Sequence, residues 1–452
     1  MNRICLLFLF FPFITKAQTS PTEWFAEARL GVFIHWGVYA VDGTSESWSF
    51  HNRETTYPQY MSQLQRFDAS NYNANAWADL IAESGARYAV LTTKHHDGVA
   101  LWNTQQRTPS DQKGIWNPKK PLSTVHQSPA ARDLVTPFVQ AIRSKGIRFG
   151  AYYSLLDWSH GDYPGFLKDS SRYKIANDSL RWNRFLKFMH AQVEELSLAF
   201  QPDLFWFDGD WEHSEDEWQA STIKSICKKG NPQVLLNGRL KTYGDYDTPE
   251  QNMPVTRPAS KHWELCLTTN NNWGYRPSDT SWKSPDEIIR IYTEVLGMGG
   301  NLLLDIGPRA DGTIPQQQVD MLKTLGRFNR KHAEAVFGTI EGPPDGHYHG
   351  SSVLSKDSTT LYLFVPSVKN HNGVGAYTIM LKGIRNKVLR SEILGSPIPV
   401  SMKTVGKISW STVPGTIFMD VPLAGMDEHM TVLKLQLDGP LRLYRGKGGF
   451  AD

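Results

Sequence analysis

Short, almost continuous apolar segments alternate with longer amphipathic segments from residue 31 to about residue 340. Apolar runs without regular polar interruptions are typical of parallel strands that are buried on both faces. Seven segments have this pattern and predict strands at residues 31–36, 88–94, 148–154, 203–208, 233–238, 263–268 and 301–307.

The segments between these strands have the periodicity of helices that bury one face. A helix start is predicted at Ser284, because Pro285 and Glu287 follow it and are favoured at N1 and N3. Seven strand–helix units and a short further strand at 336–340 favour a (β/α)8 TIM-like barrel over a doubly wound sheet. Other helices are predicted at residues 75–86, 133–146 and 182–200.

The helical pattern ends near residue 345, and short segments of strand-like composition follow it. Turns rich in Gly, Pro and Asn separate these segments, as expected for antiparallel strands. The α/β barrel domain is therefore predicted over residues 18–345 and a C-terminal β-sandwich over residues 346–452. The sandwich strands are predicted within residues 359–367, 376–384, 388–395, 415–422 and 430–440.

The N-terminus has the three parts of a signal peptide. Arg3 precedes an apolar run at residues 4–14, and small residues around Ala17 form a candidate cleavage site. The run is shorter than the roughly 20 residues that a membrane-spanning helix needs. We therefore expect residues 1–17 to be removed and the protein to be periplasmic or extracellular, without membrane insertion.

Charge and cysteine content exclude several classes of protein. The formal net charge is +3, and no strongly basic run suggests a nucleic-acid or anionic-membrane partner. Only Cys227 and Cys266 would remain after signal removal, which is too few for a disulfide framework. Aromatic residues are 12% of the chain, with 15 Trp, and fit either a large core or a site that stacks on sugar rings.

Polar side chains follow the C-terminal ends of the predicted strands, where barrels place functional groups. Polar side chains from six strand–helix units converge on one rim of the predicted barrel, which predicts a binding or active site there. Asp97 and Asp157 are expected to be turn or cap residues. The rim residues are His35, Lys94, His95, His96, Asp97, Tyr152, Tyr153, Asp157, Asp208, Asn237, Arg239, Glu264 and Trp273.

The adjacent His95 and His96 resemble a metal-binding pair. Neighbouring residues of a strand point to opposite faces, however, so the two rings are not expected to bind one ion. The chain also has no His-x-His or HExxH spacing. A metal-dependent hydrolase that uses these histidines and Asp97 is therefore a minor alternative, and we expect no metal and no other cofactor.

Asp208 ends one of the most aromatic runs of the chain, in "DLFWFDGDWE". An unpaired buried carboxylate is costly, so its position indicates a function. A strand-end carboxylate can attack an oxocarbenium-like centre if a second carboxylic acid protonates the leaving oxygen. Glu250 in "YGDYDTPEQ" and Glu264 in "HWELC" are the candidates for that second group.

These motifs together resemble the α-L-fucosidases of glycoside hydrolase family 29. The resemblance extends from about Trp24 to Gly338 and includes "FIHWG", "KHHDG", "YYSLLDW", "LFWFDGDW", "YDTPEQ", "HWELC" and "GGNLLLDIGPRADGTIP" in family order. It implies a barrel followed by a β-sandwich. It also implies a retaining exo-glycosidase that removes terminal α-L-fucose from fucosylated glycans by double displacement, without a cofactor.

The resemblance also implies roles for individual residues. Asp208 matches the family nucleophile. The family often has Glu-Trp-Tyr after the first strand, whereas this chain departs from it with "SESWSF", in which Glu46 and Trp48 are expected to take those roles. The remaining residues are implied to bind fucose through its hydroxyl groups or its apolar atoms. These are His35, His95, His96, Tyr153, Arg239, Trp206 and Trp273.

The acid/base has two candidates, because the resemblance implies the glutamate of the "TPEQ" motif in some family members and that of the "WE" motif in others. We favour Glu250, which is on a loop that can lean over a bound sugar and follows Asp208 by 42 positions (250 − 208). Glu264 is then expected to orient Arg239 or a histidine. A non-catalytic carbohydrate-binding protein on the same scaffold is the main alternative, although a lectin needs no carboxylate pair.

Overall fold

The computed structural model describes residues 21–110, 114–369, 372–444 and 446. The predicted signal peptide lies outside these residues, so export stays a prediction. Within the described ranges, no helix combines the length and the apolar character that crossing a membrane requires.

Seven parallel strands form one curved sheet in the order β5-β4-β3-β2-β1-β7-β6. Every residue of these strands is buried except Arg148 at the start of β3, which explains their continuous apolar pattern. The seven predicted strands are therefore confirmed. Their bounds are β1 Leu30–Ile34, β2 Tyr88–Lys94, β3 Arg148–Ser154, β4 Leu204–Asp208, β5 Leu235–Leu236, β6 Glu264–Thr268 and β7 Asn301–Ile306.

An extended segment, residues 245–251, joins the two edge strands β5 and β6, and we call it the closing segment. It pairs with its neighbours only through isolated bridges, and Pro249 within it has no N–H to donate. The closing segment therefore takes the remaining position of an eight-position barrel. Its parallel bridges are Asn237–Tyr246 on the β5 side and Asp247–Trp263 and Glu250–Cys266 on the β6 side.

The strand expected near residues 336–340 forms at Thr339–Glu341 (β8), but it is not a barrel strand. It pairs antiparallel with β9 (Ser352–Ser355) in a sheet of the C-terminal region. The expectation of an eighth regular barrel strand is corrected, because the closing segment already lies between β5 and β6. A single apolar residue, Ile340, also gives β8 too little apolar surface for a position buried on both faces.

Helices connect the barrel strands, and the predicted helices are confirmed as α4, α6, α7 and α10. Ser284 caps α10, since its hydroxyl accepts a hydrogen bond from the Glu287 N–H at 3.2 Å. Six short 3-10 helices lie at Val38–Ala40, Ser62–Gln65, Ile175–Asn177, Asp210–Glu212, Gly238–Tyr243 and Leu423–Gly425 in the described chain. The α-helices are α1 Pro21–Ala28, α2 Trp48–His51, α3 Tyr57–Met61, α4 Ala74–Ser84, α5 Thr124–Gln127, α6 Val135–Ser144, α7 Ser179–Phe200, α8 Glu215–Trp218, α9 Ala220–Gly230, α10 Pro285–Gly297, α11 Gln316–Lys331 and α12 Ala333–Val336.

Two antiparallel sheets form the predicted β-sandwich. Their orders are β12-β15-β10-β9-β8 and β11-β14-β13, and an aliphatic cluster fills the space between them. β8 precedes the domain boundary predicted at residue 345, and that boundary stays a prediction. The further strands are β10 Thr360–Pro366, β11 Ala376–Leu381, β12 Val388–Ile393, β13 Ser401–Val405, β14 Thr416–Pro422 and β15 Met430–Leu437.

Aromatic side chains fill the lower half of the barrel. Phe25 from α1 packs against Tyr88 and Tyr246, with ring centroids 5.8 and 4.3 Å away. Trp206 and Tyr152 stack above them with centroids 5.7 Å apart. Through this contact, α1 covers the end of the barrel at which Tyr88 begins β2.

Candidate active site

A pocket of about 140 Å³ opens at the C-terminal ends of the barrel strands. Nine of the twelve predicted site residues line it, whereas Glu264, His96 and Tyr153 do not. The predicted residues at the strand ends therefore line a common pocket. Its lining residues are Phe33, His35, Glu46, Trp48, His95, Tyr152, Trp206, Asp208, Trp211, Arg239, Glu250 and Trp273.

Asp208 ends β4 and is 8% exposed, at the floor of the pocket. Its Oδ1 accepts a hydrogen bond from Arg239 Nη1 at 2.7 Å, and its Oδ2 accepts one from the Tyr152 hydroxyl at 2.8 Å. His96 Nε2 lies 3.6 Å from Oδ2. These contacts hold the carboxylate in one orientation and offset the cost of burying it.

Arg239 connects the two candidate catalytic carboxylates. Its Nη1 donates to Asp208, and its Nη2 donates to Glu250 Oε2 at 2.5 Å. The guanidinium carbon also lies 4.5 Å from the centre of the Trp206 ring. A planar group bonded to Asp208 and stacked on Trp206 has little freedom, so it holds Asp208 in place. Its other edge keeps the more exposed Glu250 side chain near Asp208.

Glu250 and Glu264 occupy different environments. The Glu250 side chain is 40% exposed on the closing segment, at the mouth of the pocket. Glu264 is fully buried, and burial raises its pKa to about 7. It accepts hydrogen bonds from the Tyr88 hydroxyl and, at 3.0 Å, from Trp206 Nε1. Glu264 therefore holds Trp206 from below, rather than orienting Arg239 or a histidine as expected.

His35 is held by a residue that sequence reasoning missed. Its Nδ1 lies 2.6 Å from Oδ1 of Asp305 at the end of β7, and both side chains are buried. Burial lowers the pKa of His35 and raises the pKa of Asp305, because low polarity disfavours both charged forms. "NLLLDIG" contains the same signal as Asp208, a carboxylate at the end of an apolar strand, and this signal would have found Asp305.

His95 and His96 lie side by side, with ring centroids 4.2 Å apart. The expectation that they point to opposite faces is wrong, because the register of β2 shifts after Thr92 and the strand ends at Lys94. His95 Nδ1 contacts Ser47 Oγ and His96 Nδ1 contacts Ser154 Oγ, each at 2.6 Å.

Burial lowers the pKa of both rings, which therefore act as neutral donors and acceptors. His95 lines the pocket, whereas His96 is 1% exposed and lies behind Asp208. In the described ranges, no group of three or more His, Cys, Asp or Glu is arranged to hold a metal ion.

Tyr152, not Tyr153, faces the pocket. The Tyr153 hydroxyl donates to Gln192 Oε1 at 2.9 Å on α7, and its ring lies 4.3 Å from Lys94 Nζ. Tyr152 pairs in register with Trp206 and shares its inward side. The prediction for Tyr153 is corrected, since alternation along β3 sends the two tyrosines to opposite sides of the sheet.

Glu46 and Trp48 both line the pocket, as the aligned motif implied. Glu46 has a left-handed backbone (φ 37°), and its Oε1 accepts a hydrogen bond from the Gly274 N–H at 2.6 Å. Burial raises the pKa of Glu46 to about 7. By holding Gly274, Glu46 positions the adjacent Trp273, whose ring centroid is 4.9 Å from that of His35.

The expectation that Asp97 and Asp157 stabilise turns is confirmed. Asp97 accepts from the Val99 N–H at 2.9 Å, and Asp157 accepts from the His160 N–H at 3.0 Å. Trp211 was not predicted as a site residue. Its position three residues after Asp208, in the loop that follows β4, is the signal that would have identified it.

Comparisons with known proteins give matches over most of the chain. A sequence model described as alpha-L-fucosidase matches residues 14–334. The tissue alpha-L-fucosidase of Homo sapiens is 30% identical over 436 residues, which are 88% of this chain and 84% of that protein. The Bos taurus enzyme is 31% identical over 422 residues, 86% of this chain and 82% of that protein.

Solved structures are similar over almost the whole chain. The alpha-L-fucosidase isoenzyme 1 of Paenibacillus thiaminolyticus has a TM-score of 0.77 and 29% identity, and covers 92% of this chain and 99% of its own. The Thermotoga maritima alpha-fucosidase, solved with a mechanism-based inhibitor, has a TM-score of 0.71 and 25% identity. That alignment covers 91% of this chain and 96% of the other.

Proposed function

The chain belongs to the alpha-L-fucosidase family of glycoside hydrolases, and we propose that it is a retaining exo-α-L-fucosidase acting on fucosylated oligosaccharides or glycoconjugates. The observation that supports this proposal best is the placement of Asp208 and Glu250 on one guanidinium at the C-terminal end of the barrel. Retaining enzymes hold their two carboxyl groups about 5–5.5 Å apart, and a shared arginine keeps such a pair close.

In the first step, Asp208 attacks the anomeric carbon of fucose while the C1–oxygen bond breaks. Glu250 gives its proton to the departing glycosidic oxygen, so the aglycone leaves as an alcohol. In the second step, Glu250 removes a proton from water, the water oxygen bonds to C1, and Asp208 is released as a carboxylate. Glu250 is suited to this part because its exposed side chain can turn from Arg239 to the glycosidic oxygen.

Neutral histidines suit the recognition of sugar hydroxyls. An uncharged imidazole offers one N–H donor and one nitrogen acceptor, as a hydroxyl also does. His35 and His95 line the pocket, and contacts to Asp305 and Ser47 fix their Nδ1 atoms. The other ring nitrogen, Nε2, is left for a ligand. Protonated, positively charged imidazoles would instead favour an anionic substrate.

The floor of the pocket supports the removal of terminal residues. Phe33, Tyr152 and Trp206 are each at most 2% exposed and fill the barrel below Asp208. A sugar can therefore enter only from the mouth, with its reducing side facing outward. This geometry fits release of the last residue of a chain rather than cleavage within it.

Replacement of Asp208 by Gly tests the proposal. Turnover of an aryl α-L-fucoside should fall by at least about 10³-fold, since the attacking group is gone. Azide should restore turnover and give a fucosyl azide, because it fills the space of the lost carboxylate. Asp203→Asn is the matched control, because Asp203 directly precedes the same strand at its far end and forms an ion pair with Arg148.

Unchanged turnover in Asp208→Gly would contradict the assignment of the nucleophile. Hydrolysis with inversion at the anomeric carbon, detected by NMR of the first product, would contradict double displacement. Fucose binding without hydrolysis by the unaltered protein would favour the carbohydrate-binding alternative.

A further inference from the structure

We propose that Trp211 and Trp48 form an aromatic wall on which the sugar next to fucose stacks during hydrolysis. The ligand class is a neutral pyranose that presents an apolar C–H face. This inference rests on the proposed function, because it concerns the leaving group of the same reaction.

Exposure of the pocket residues increases from the floor to the mouth. Trp206 is 2% exposed at the floor, whereas Trp211 is 50% exposed and the Glu250 side chain is 40% exposed. Because the floor is filled, the unit linked to fucose must lie at the mouth. Trp211 is the most exposed aromatic side chain of the pocket lining, so it is the one available to that unit.

The turn that contains Trp211 is fixed before any ligand binds. Gly209 has φ 92°, and a Cβ atom there would lie 2.3 Å from the Leu156 side chain. Asp210 pairs with Lys241 at 3.0 Å, and Glu212 accepts a hydrogen bond from a tyrosine hydroxyl. Both neighbours of Trp211 are therefore anchored, while its own ring is half exposed. A ligand that binds to the Trp211 ring therefore loses little free energy to ordering of the turn.

The two tryptophans stack on each other, so the wall is two rings deep and presents the more exposed Trp211 ring to a ligand. Their ring centroids are 6.3 Å apart and their planes differ by only 20°, as in an offset stack. Trp158, which is fully buried, supports Trp48 from behind with its centroid 5.1 Å away. A flat apolar surface recognises the C–H face of a pyranose and leaves its hydroxyls in water. The wall therefore selects for a sugar ring more than for one hydroxyl pattern.

The test compares two substrates of the full-length protein. α-L-Fucosyl fluoride has no sugar leaving group, whereas 2-O-α-L-fucosyl-D-galactose presents a pyranose to the wall. In Trp211→Ala, the ratio of kcat/KM for the disaccharide to that for the fluoride should fall about tenfold. Trp211→Phe should keep most of the ratio, since it retains an aromatic face. Trp410→Ala is the control, because Trp410 is 75% exposed outside the pocket lining and should leave the ratio unchanged.

An unchanged ratio in Trp211→Ala would overturn the proposal. An equal fall of kcat/KM for both substrates would also overturn it, because Trp211 would then act on fucose itself or on the fold.

If the unaltered protein releases fucose from neither substrate, the proposed function fails separately. The wall is then tested by calorimetry with the uncleaved disaccharide and with L-fucose. A tenfold preference for the disaccharide that Trp211→Ala removes would support the wall, and equal affinities would reject it.

Discussion

The barrel and the β-sandwich bury different kinds of side chain. Among the described residues, the buried cluster between the two sandwich sheets consists of Leu, Ile, Val and Met. Half of the twelve buried members of the inner barrel cluster are aromatic, with Phe33, Tyr88, Tyr152 and Trp206 among them. Ionisable groups are buried against that cluster, whereas the buried polar side chains of the described strands β9 to β15 are uncharged.

This difference indicates that the sandwich core mainly stabilises the fold, whereas the barrel interior mainly positions the candidate site. Aliphatic burial stabilises a fold at no electrostatic cost, while each buried carboxylate needs partners to offset its desolvation. The barrel buries Asp208, Glu264 and Asp305, and each has a hydrogen-bonded neighbour whose position it also fixes. The comparison therefore predicts that changes in the barrel interior alter catalysis first, and that changes in the sandwich core alter folding first.

The largest expected effect concerns the two glutamates. Glu250→Gln should lower kcat on a fucosyl disaccharide by about 10³-fold, because an amide cannot protonate the leaving oxygen. A 2,4-dinitrophenyl fucoside should lose much less, since its leaving group needs no proton. Glu264→Gln should lower kcat by less than about tenfold, as Glu264 acts only through Trp206. Initial rates on both substrates measure these effects, and a larger loss in Glu264→Gln would reverse the assignment.

The second effect concerns the sandwich core. Leu363→Ala on β10 should lower the free energy of unfolding by about 3 kcal/mol, because Leu363 is fully buried and leaves a cavity. The kcat of the folded enzyme should not change. Urea denaturation and rates normalised to active sites measure the two quantities.

Leu389→Ala is the matched control, since Leu389 is 58% exposed and should cost less than about 0.5 kcal/mol. A fall of kcat in correctly folded Leu363→Ala would show that the sandwich core also supports the site.

The smallest effect is a change in how stability depends on pH. Burial raises the pKa of Glu264 from 4.5 to about 7 in the folded state. Between these values the unfolded chain loses the proton while the folded protein keeps it, so stability falls as pH rises. In Glu264→Gln, the free energy of unfolding should fall less steeply with pH in this range, by up to about 1.4 kcal/mol per pH unit. Urea denaturation at pH 5 and pH 7 tests this, and an unchanged pH slope would contradict it.

The seven regular barrel strands were predictable because burial on both faces requires nearly continuous apolar sequence. Only Arg148 interrupts seven buried strands, at the very start of β3. The closing segment leaves no such mark, because backbone bridges hold it and "YDTPE" has no apolar periodicity. Pairing that depends on the backbone alone is invisible to a pattern of side chains.

The sequence was enough to predict which strand ends form the site, but not the direction in which each side chain points. Asp208 was identified because a carboxylate after an aromatic strand is unusual. The choice between Tyr152 and Tyr153 depends on the register of β3 with β4, which requires the assembled sheet. The shared direction of His95 and His96 depends on the end of β2, and strand boundaries are the least certain part of any pattern.

The closing segment has a consequence for how such an enzyme diversifies. It joins the barrel by isolated bridges, so lengthening or shortening it leaves the seven regular strands and Asp208 in place. The same edit moves Glu250, because that residue is one of the bridge positions. Insertions in the closing segment would therefore move the proposed proton donor and change which linkages are cleaved, without rebuilding the sugar pocket.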